Sequence, residues 1–447
     1  MAYEKLRAAV DRQFDTIRQG LENLTTVPSV SAPGFDPGNV RASAEVVAGL
    51  LRDAGFPDVR LLESEGAHPA VFAHYPTPVD APTVLLYAHH DVQPPGDERE
   101  WTSPPFEPVE RGGRIYGRGI ADDKSGVLMH VGAMLAHEGR PPVGVKVIIE
   151  GEEEIGSVHL EDFLHEHQQL FSADVIVIGD SGNWKVGVPA LTTSLRGLVD
   201  CVIEIRTADH ALHSGEFGGP IPDALTVLAR TLATLHDEQG KVAIPGLVSS
   251  DTADPLDLTE AEFRAQAGVV DGLELIGKGS ITSRLWTMPS ISVLAIDAPP
   301  VAEAINALVP VARAKVSMRL APGQSPPHAM KALVDHLESH APWGAQVTVT
   351  PGASGEAFAL TTEGPLFEIY RAAMREAWGT EPVNMGVGGS IPFVSAFSAT
   401  YPEATIVLTG AQEPESRIHA PDESLDLEEL RRSVLAEAIV LELLAKQ

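Results

Sequence analysis

Apolar positions at the start of the chain, Leu6, Val10, Phe14, Ile17, Leu21 and Leu24, recur at steps of three and four residues. That spacing predicts an amphipathic surface helix and leaves no apolar signal core. From residue 40 to 190 the period switches back and forth. Helical spacing in "RASAEVVAGLLRDAGF", stopped by Gly55, gives way to the short apolar runs "VRLLES", "AVFAHY" and "TVLLYAH". Then come a helix "SGVLMHVGAMLAHEG", a strand "VKVIIEG", a helix "VHLEDFLHEHQQL" and a strand "ADVIVIGD". Short continuous apolar strands between helices predict an α/β layer architecture around a largely parallel sheet.

Beyond residue 190 the grammar changes to a strand "LVDCVIEIRT", a helix "IPDALTVLARTLATLHDE", strands "SISVLAID" and "ARAKVSMRLAP", a helix "PPHAMKALVDHLESH" and a strand "AQVTVTP". That order is the split βαβ pattern of a small α+β domain. Residues 239–289, rich in Gly, Asp and Pro, read as an elaborated loop within it. The α/β grammar returns with "GPLFEIYRAAMREAWG", "ATIVLTG" and a final helix "LDLEELRRSVLAEAIVLELLAKQ". The expected organisation is therefore one domain formed by 1–191 and 357–447, with a second inserted at 192–356. At 447 residues, two cores are also what chain length alone predicts.

Charge narrows the choice of partners. With 32 Lys and Arg against 62 Asp and Glu, a formal charge of −30 argues against nucleic acid or an anionic membrane surface. No apolar run approaches the roughly 20 residues needed to span a bilayer. The single cysteine, Cys201, can form no disulfide within the chain, which favours a reducing compartment. The cytoplasm is the expected location.

Five predicted strand ends or loops carry polar clusters. They are "HHDVQP" with His89 and Asp91, "GRGIADDKSG" with Asp122 and Asp123, "EGEEEIGS" with Glu152, Glu153 and Glu154, "IGDSG" with Asp180, and "HAPDES" with His419. One acidic strand end is usually a solvated turn. Five together supply imidazoles and carboxylates but no thiol, a donor set suited to Zn²⁺ or Mn²⁺. In an extended chain Glu152 and Glu154 would share one side and Glu153 the other. Spacing alone does not exclude Glu152 as a catalytic base.

These motifs, in this order, together with "RGLVD", "LHSGEFGG", "MRLAPGQ" and "GGSIP", resemble those of the dinuclear zinc metallopeptidase family of carnosinases, aminoacylases, bacterial dipeptidases and succinyl-diaminopimelate desuccinylase. The likeness spans nearly the whole chain and is greatest to the dipeptidase branch. It implies that the inserted domain is a lid and dimerisation domain of a homodimer acting on small peptides. It also implies two divalent ions per subunit, Zn²⁺ with Mn²⁺ or Co²⁺ as alternatives. By the resemblance His89 and Asp180 hold one ion, Glu154 and His419 the other, and Asp122 bridges them. Asp91 orients His89, and Glu153 is the general base that moves a proton from water to the leaving amine. His213 supplies a donor to the oxyanion from the neighbouring subunit. Arg319 grips the substrate carboxylate, with Gly389 and Ser390 at the same substrate end. A cis peptide after Asp122 is implied as well. Where relatives read Arg-Glu before Gly-Gly-Ser this chain has Gly386 and Val387, so the role of that loop stays open. An acyl-amino-acid deacylase would use the same ions, and a non-catalytic binding protein could keep the fold.

Other features carry less. His90 reads as wall. His165 and His167 are two apart on a predicted helix and point about 200° apart, so they cannot chelate one ion. His74, His130 and His137 read as surface or packing residues. The "GRG" at 117–119 lacks the spacing of a dinucleotide loop, and "GDS" at 179–181 lacks the flanks of a nucleophile elbow.

Overall fold

The computed structural model describes residues 3–251, 256–360, 362–389 and 391–446. The chain forms two compact units: Met1–Thr193, Leu360–Met385 and Ile391–Gln447 in one, Ser194–Ala359 and Gly386–Ser390 in the other.

In the first unit, α1 (Glu4–Thr25) buries Val10, Phe14, Ile17, Leu21 and Leu24. Helix α2 (Pro37–Asp53) starts where the Asp36 side chain accepts from the Gly38 amide and Pro37 presets the first turn. Strands β1 (Asp58–Leu62), β2 (Ala70–Tyr75) and β3 (Thr83–His89) follow, then the short strand β4 (Arg114–Tyr116). Helix α3 (Lys124–Ala136) is apolar on all sides and correspondingly buried almost throughout. Strands β5 (Gly144–Glu150) and β6 (Val175–Ile178) complete this half.

The second unit contains β7 (Gly197–Arg206), α4 (Ala224–Ala233), β8 (Ser290–Asp297), β9 (Val311–Leu320), α5 (Pro326–His340) and β10 (Gln346–Gly355). Its sheet order is β8-β9-β7-β10, with every pairing antiparallel. Val199, Cys201, Ile203 and Ile205 alternate toward a core closed by Leu228, Leu333 and Leu337. The chain then re-enters the first unit with α6 (Pro365–Trp378), β11 (Thr405–Leu408), β12 (Ser424–Asp426) and α7 (Leu427–Leu444).

The main sheet runs β1-β2-β5-β3-β6-β11. Strands β5, β3, β6 and β11 are parallel neighbours, and β1 and β2 pair antiparallel at one edge. Adjacent parallel strands deliver their C-terminal ends to one edge of the sheet, where α/β proteins build sites.

Several details depart from the sequence reading. The run 158–170 is not one helix but two short ones, Leu160–Glu166 and Gln168–Phe171, parted at His167. Within 239–289 the loop carries two short helices, Glu260–Ala267 and Ile281–Trp286. The first is set by a Thr259/Glu262 capping box. A helix at Pro392–Thr400 has no counterpart in the pattern reading.

Candidate metal centre and catalytic site

Three neighbouring strands position most of the candidate residues. Strand β3 ends in His89, β5 leads through Glu150 into a 3-10 turn at Glu153–Ile155, and Asp180 lies two residues past β6. Asp122 precedes α3, across a cis Asp122–Asp123 peptide, and His419 sits in the loop between β11 and β12.

Asp122 stands between two imidazoles. His89 Nε2 lies 3.2 Å from Asp122 Oδ1 and 3.9 Å from Asp180 Oδ2. His419 Nε2 lies 2.9 Å from Asp122 Oδ2 and 3.3 Å from Glu154 Oε2. Ligand atoms that share one tetrahedral ion at ordinary Zn–N and Zn–O distances are about 3.4 Å apart. The observed spacings bracket that value, and each oxygen of Asp122 faces a different histidine. Among the described residues, His89, Asp123 and Asp180 form one group able to hold an ion, and Asp122, Glu154 and His419 another. Asp123 is the weaker member. Its oxygens already accept from the Gly126 amide at 3.2 Å and the His89 amide at 3.3 Å, so it serves better as the cap of α3 than as a ligand.

Electrostatics point the same way. Burial, reinforced by neighbouring carboxylates, pushes Asp180 and Glu153 well above the usual carboxylate range. For Asp122 burial works against ionisation too, but the two histidines outweigh it and hold the carboxyl low. His419 is raised to about 10 by its hydrogen bonds to Asp122 and Glu154. A cluster this rich in anions, able to ionise fully only against added positive charge, fits divalent cations.

Asp91 is the hub that ties these ends together. Its backbone carbonyl is 3.1 Å from His89 Nδ1, and its Oδ1 is 3.4 Å from the same nitrogen. The carboxylate also accepts from the Ser31 hydroxyl at 2.6 Å and from the Glu153 and Glu154 amides at 3.2 and 3.1 Å. One buried side chain thus orients the imidazole and aims the glutamate turn. Glu152 is otherwise engaged, accepting from the His68 amide at 2.7 Å and from His159 Nδ1 at 2.8 Å. Of the three glutamates, Glu153 alone has no hydrogen-bond partner recorded for its carboxylate among the described residues. His90 is fully buried, with Nε2 3.0 Å from the Pro69 carbonyl.

His213, Arg319 and Gly389 belong to the second unit, and Ser390 lies outside the described residues. His213 is exposed, and its Nδ1 accepts from the Gly215 amide at 3.2 Å. Arg319 is half-buried with no ion pair among the described residues, and burial lowers its pKa. It faces Ser290 in the β8–β9 register. Buried Arg196 donates to Ser290 Oγ at 3.0 Å and to the Gly388 carbonyl at 3.3 Å.

The motif reading overlooked the supports: Ser31, Gln93, Arg118 and Glu423. Gln93, inside the "HHDVQP" stretch, donates its amide to Glu154 Oε2 at 2.8 Å. Ser31 lies far along the chain from Asp91 with no local pattern to mark it, and Glu423, although inside "HAPDES", lies far along the chain from the 119–122 amides it holds.

The sequence profile of the peptidase family M20/M25/M40 matches residues 85–442. A cysteinylglycine-S-conjugate dipeptidase of Corynebacterium striatum is 38% identical over 367 residues, 80% of each chain. Human carnosine dipeptidase 1 superposes with a TM-score of 0.85 at 25% identity, over 100% of this chain and 99% of that one. The dipeptidase Dug1p of Saccharomyces cerevisiae has the same fold, with a TM-score of 0.87 at 22% identity over 99% and 98% of the two chains.

Proposed function

The chain belongs to peptidase family M20/M25/M40 and is a hydrolase of peptide bonds, and from that premise we propose that it is a two-metal dipeptidase cleaving unblocked dipeptides with a free C-terminal carboxylate. The observation that carries this reading is Asp122, whose two oxygens face His89 and His419 separately. His89 and Asp180 would hold one cation, Glu154 and His419 the other, with Asp122 shared between them. Bound there, Zn²⁺, Mn²⁺ or Co²⁺ supplies Lewis-acid polarisation of the scissile carbonyl and a more acidic water.

The protein's own groups do the rest. Glu153, with its carboxylate uncommitted, takes a proton from the attacking water and returns it to the leaving amine. Asp91 holds the His89 ring and, through the Glu153 amide, the base itself. His213 donates to the developing oxyanion of the neighbouring subunit. Arg319, with no ion pair among the described residues, grips the substrate carboxylate in the bidentate manner its planar fork allows.

A homodimer through the second unit is part of the proposal, and of two candidates for its interface, the apolar run "LVDCVIEIRT" and the helix that follows it, the run is excluded from strand pairing: β7 lies inside the sheet between β9 and β10 and has no free edge. Strand β8 is one of the sheet's two edges, β10 being the other, and it exposes Val293, Leu294 and Ile296. An apolar edge of this kind needs cover. Among the described residues no helix is long and apolar enough to cross a membrane, and the proposed location is the cytoplasm.

The test is a substrate screen with metal content measured on the same sample. Cys-Gly and β-Ala-His, for which relatives are named, are the first dipeptides to try. N-acetyl and N-succinyl amino acids are the counter-set. Faster turnover of the acyl substrates would replace the dipeptidase reading with a deacylase.

A further inference from the structure

We propose that Glu423 is the positioning residue that sets the affinity of the ion site formed by Asp122, Glu154 and His419, without itself touching the ion. The inference rests on reading that cluster as a cation site. Glu423 has no exposed surface. Its Oε1 accepts from the amides of Ala121 at 3.0 Å and Asp122 at 3.2 Å, and its Oε2 from the Gly119 amide at 3.0 Å and Arg118 Nη1 at 2.6 Å. Four donors occupy the carboxylate, so it has little capacity left to be a ligand. Its backbone carbonyl accepts from the Gly117 amide at 3.0 Å, and Ser424 pairs with Tyr116 where β12 meets β4.

Two ligand loops about three hundred residues apart are thereby joined. Glu423 follows His419 by four positions, and the Asp122 amide donates directly to it. The His419 loop needs such an anchor. Arg417, His419 and Asp422 have φ of 54°, 61° and 58°, a left-handed region that side chains other than Gly rarely adopt without support. Asp422 contributes a second tether, accepting from the Thr102 amide at 2.9 Å and hydroxyl at 2.7 Å. Arg118, almost wholly buried, gives the Glu423 charge its partner. The product of this wiring is the 2.9 Å approach of His419 Nε2 to Asp122 Oδ2. A ligand pair held together beforehand loses less freedom when an ion arrives, which is where affinity is gained.

Glu423→Gln places an amide NH₂ where the carboxylate faced only donors, and it leaves Arg118 without its counter-charge. Glu423→Asp keeps the charge but falls one methylene short of the 119–122 amides. Both variants, wild type and His419→Ala are stripped with chelator and titrated with Zn²⁺ by calorimetry. Melting curves of the metal-free proteins are recorded alongside. The expected result is two ions in wild type and, in both Glu423 variants, a roughly 10- to 100-fold loss of affinity for the ion that His419→Ala also weakens, with a smaller loss at the ion that shares only Asp122. Unchanged affinity for that ion overturns the inference. So does an equal loss at both sites that tracks a fall in melting temperature, because that is the signature of a merely structural residue. If neither Glu423 variant yields folded protein, Glu423 is a folding residue and the inference is overturned as well. Fewer than two ions in wild type would overturn the site reading, and the inference with it, before any variant is compared.

Discussion

His90 gives the sharpest quantitative test of how the site wall is built. The ring is fully buried, Nε2 donates to the Pro69 carbonyl, and Nδ1 has no partner among the described residues. Burial, only partly opposed by Asp91, lowers its pKa to about 4 from the ordinary 6.5. The sign follows from linkage. Between pH 6.5 and 4 the unfolded chain binds a proton here that the folded chain does not, so folding stability falls as pH falls through that window. The full loss is about 3 kcal/mol, of which about 2 kcal/mol is lost by pH 5. His90→Gln keeps a nitrogen donor for Pro69 and removes the titration. Urea unfolding of the metal-free proteins at intervals from pH 8 to pH 5 measures the effect. The gap between the wild-type and variant curves should close by about 2 kcal/mol toward pH 5, because every other acid-sensitive group is common to both. Parallel curves would refute a neutral, desolvated His90.

Glu153→Gln should retain both ions and lower kcat by about 10²- to 10⁴-fold, whereas an inactive Glu152→Gln beside an active Glu153→Gln would move the base by one residue. Asp122→Ala should lose at least one ion along with activity, read by metal analysis of the purified variant, since two nearby cations then repel without their shared anion. Leu294→Lys, on the exposed edge of β8, should shift the protein to monomer in light scattering; a persisting dimer would place the interface elsewhere. Glu153→Ala and His213→Ala, each inactive alone, should recover up to about a quarter of wild-type activity when co-refolded, because about half of the dimers are mixed and each mixed dimer holds one intact site. No recovery in verified mixed dimers would confine His213 to its own chain or remove it from the reaction.

What was legible in the chain was local. His89 and Asp180 announce themselves because an apolar strand that ends in an imidazole or carboxylate needs a reason, and parallel strands share one exit edge. The alternating core of β7 was equally legible, with Cys201 among the buried positions. Its place in the middle of the sheet was not, because strand order is set by pairings across more than a hundred residues. Nor could spacing choose between Glu152 and Glu153. In the structure His68 and His159 occupy Glu152, whereas the Glu153 carboxylate has no hydrogen-bond partner among the described residues, which is what favours Glu153 in the proposal. Arg118 and Glu423 stayed hidden for the same reason, since each reads as an ordinary charged loop residue until the other is brought to it.

The insertion of one unit within the other fixes an order of events during synthesis. The core of the first unit needs Val434, Ile439 and Leu441 of α7 against α1 and α3, and those residues are made after the whole of the second unit. All but a few residues of the second unit come from the single stretch Ser194–Ala359, which carries a core of its own, so it can fold before α7 is made. His419 and Glu423 therefore reach the waiting ends of β3, β5 and β6 only as the final helix docks. A chain interrupted before His419 holds the insert's own core but only part of the proposed metal centre.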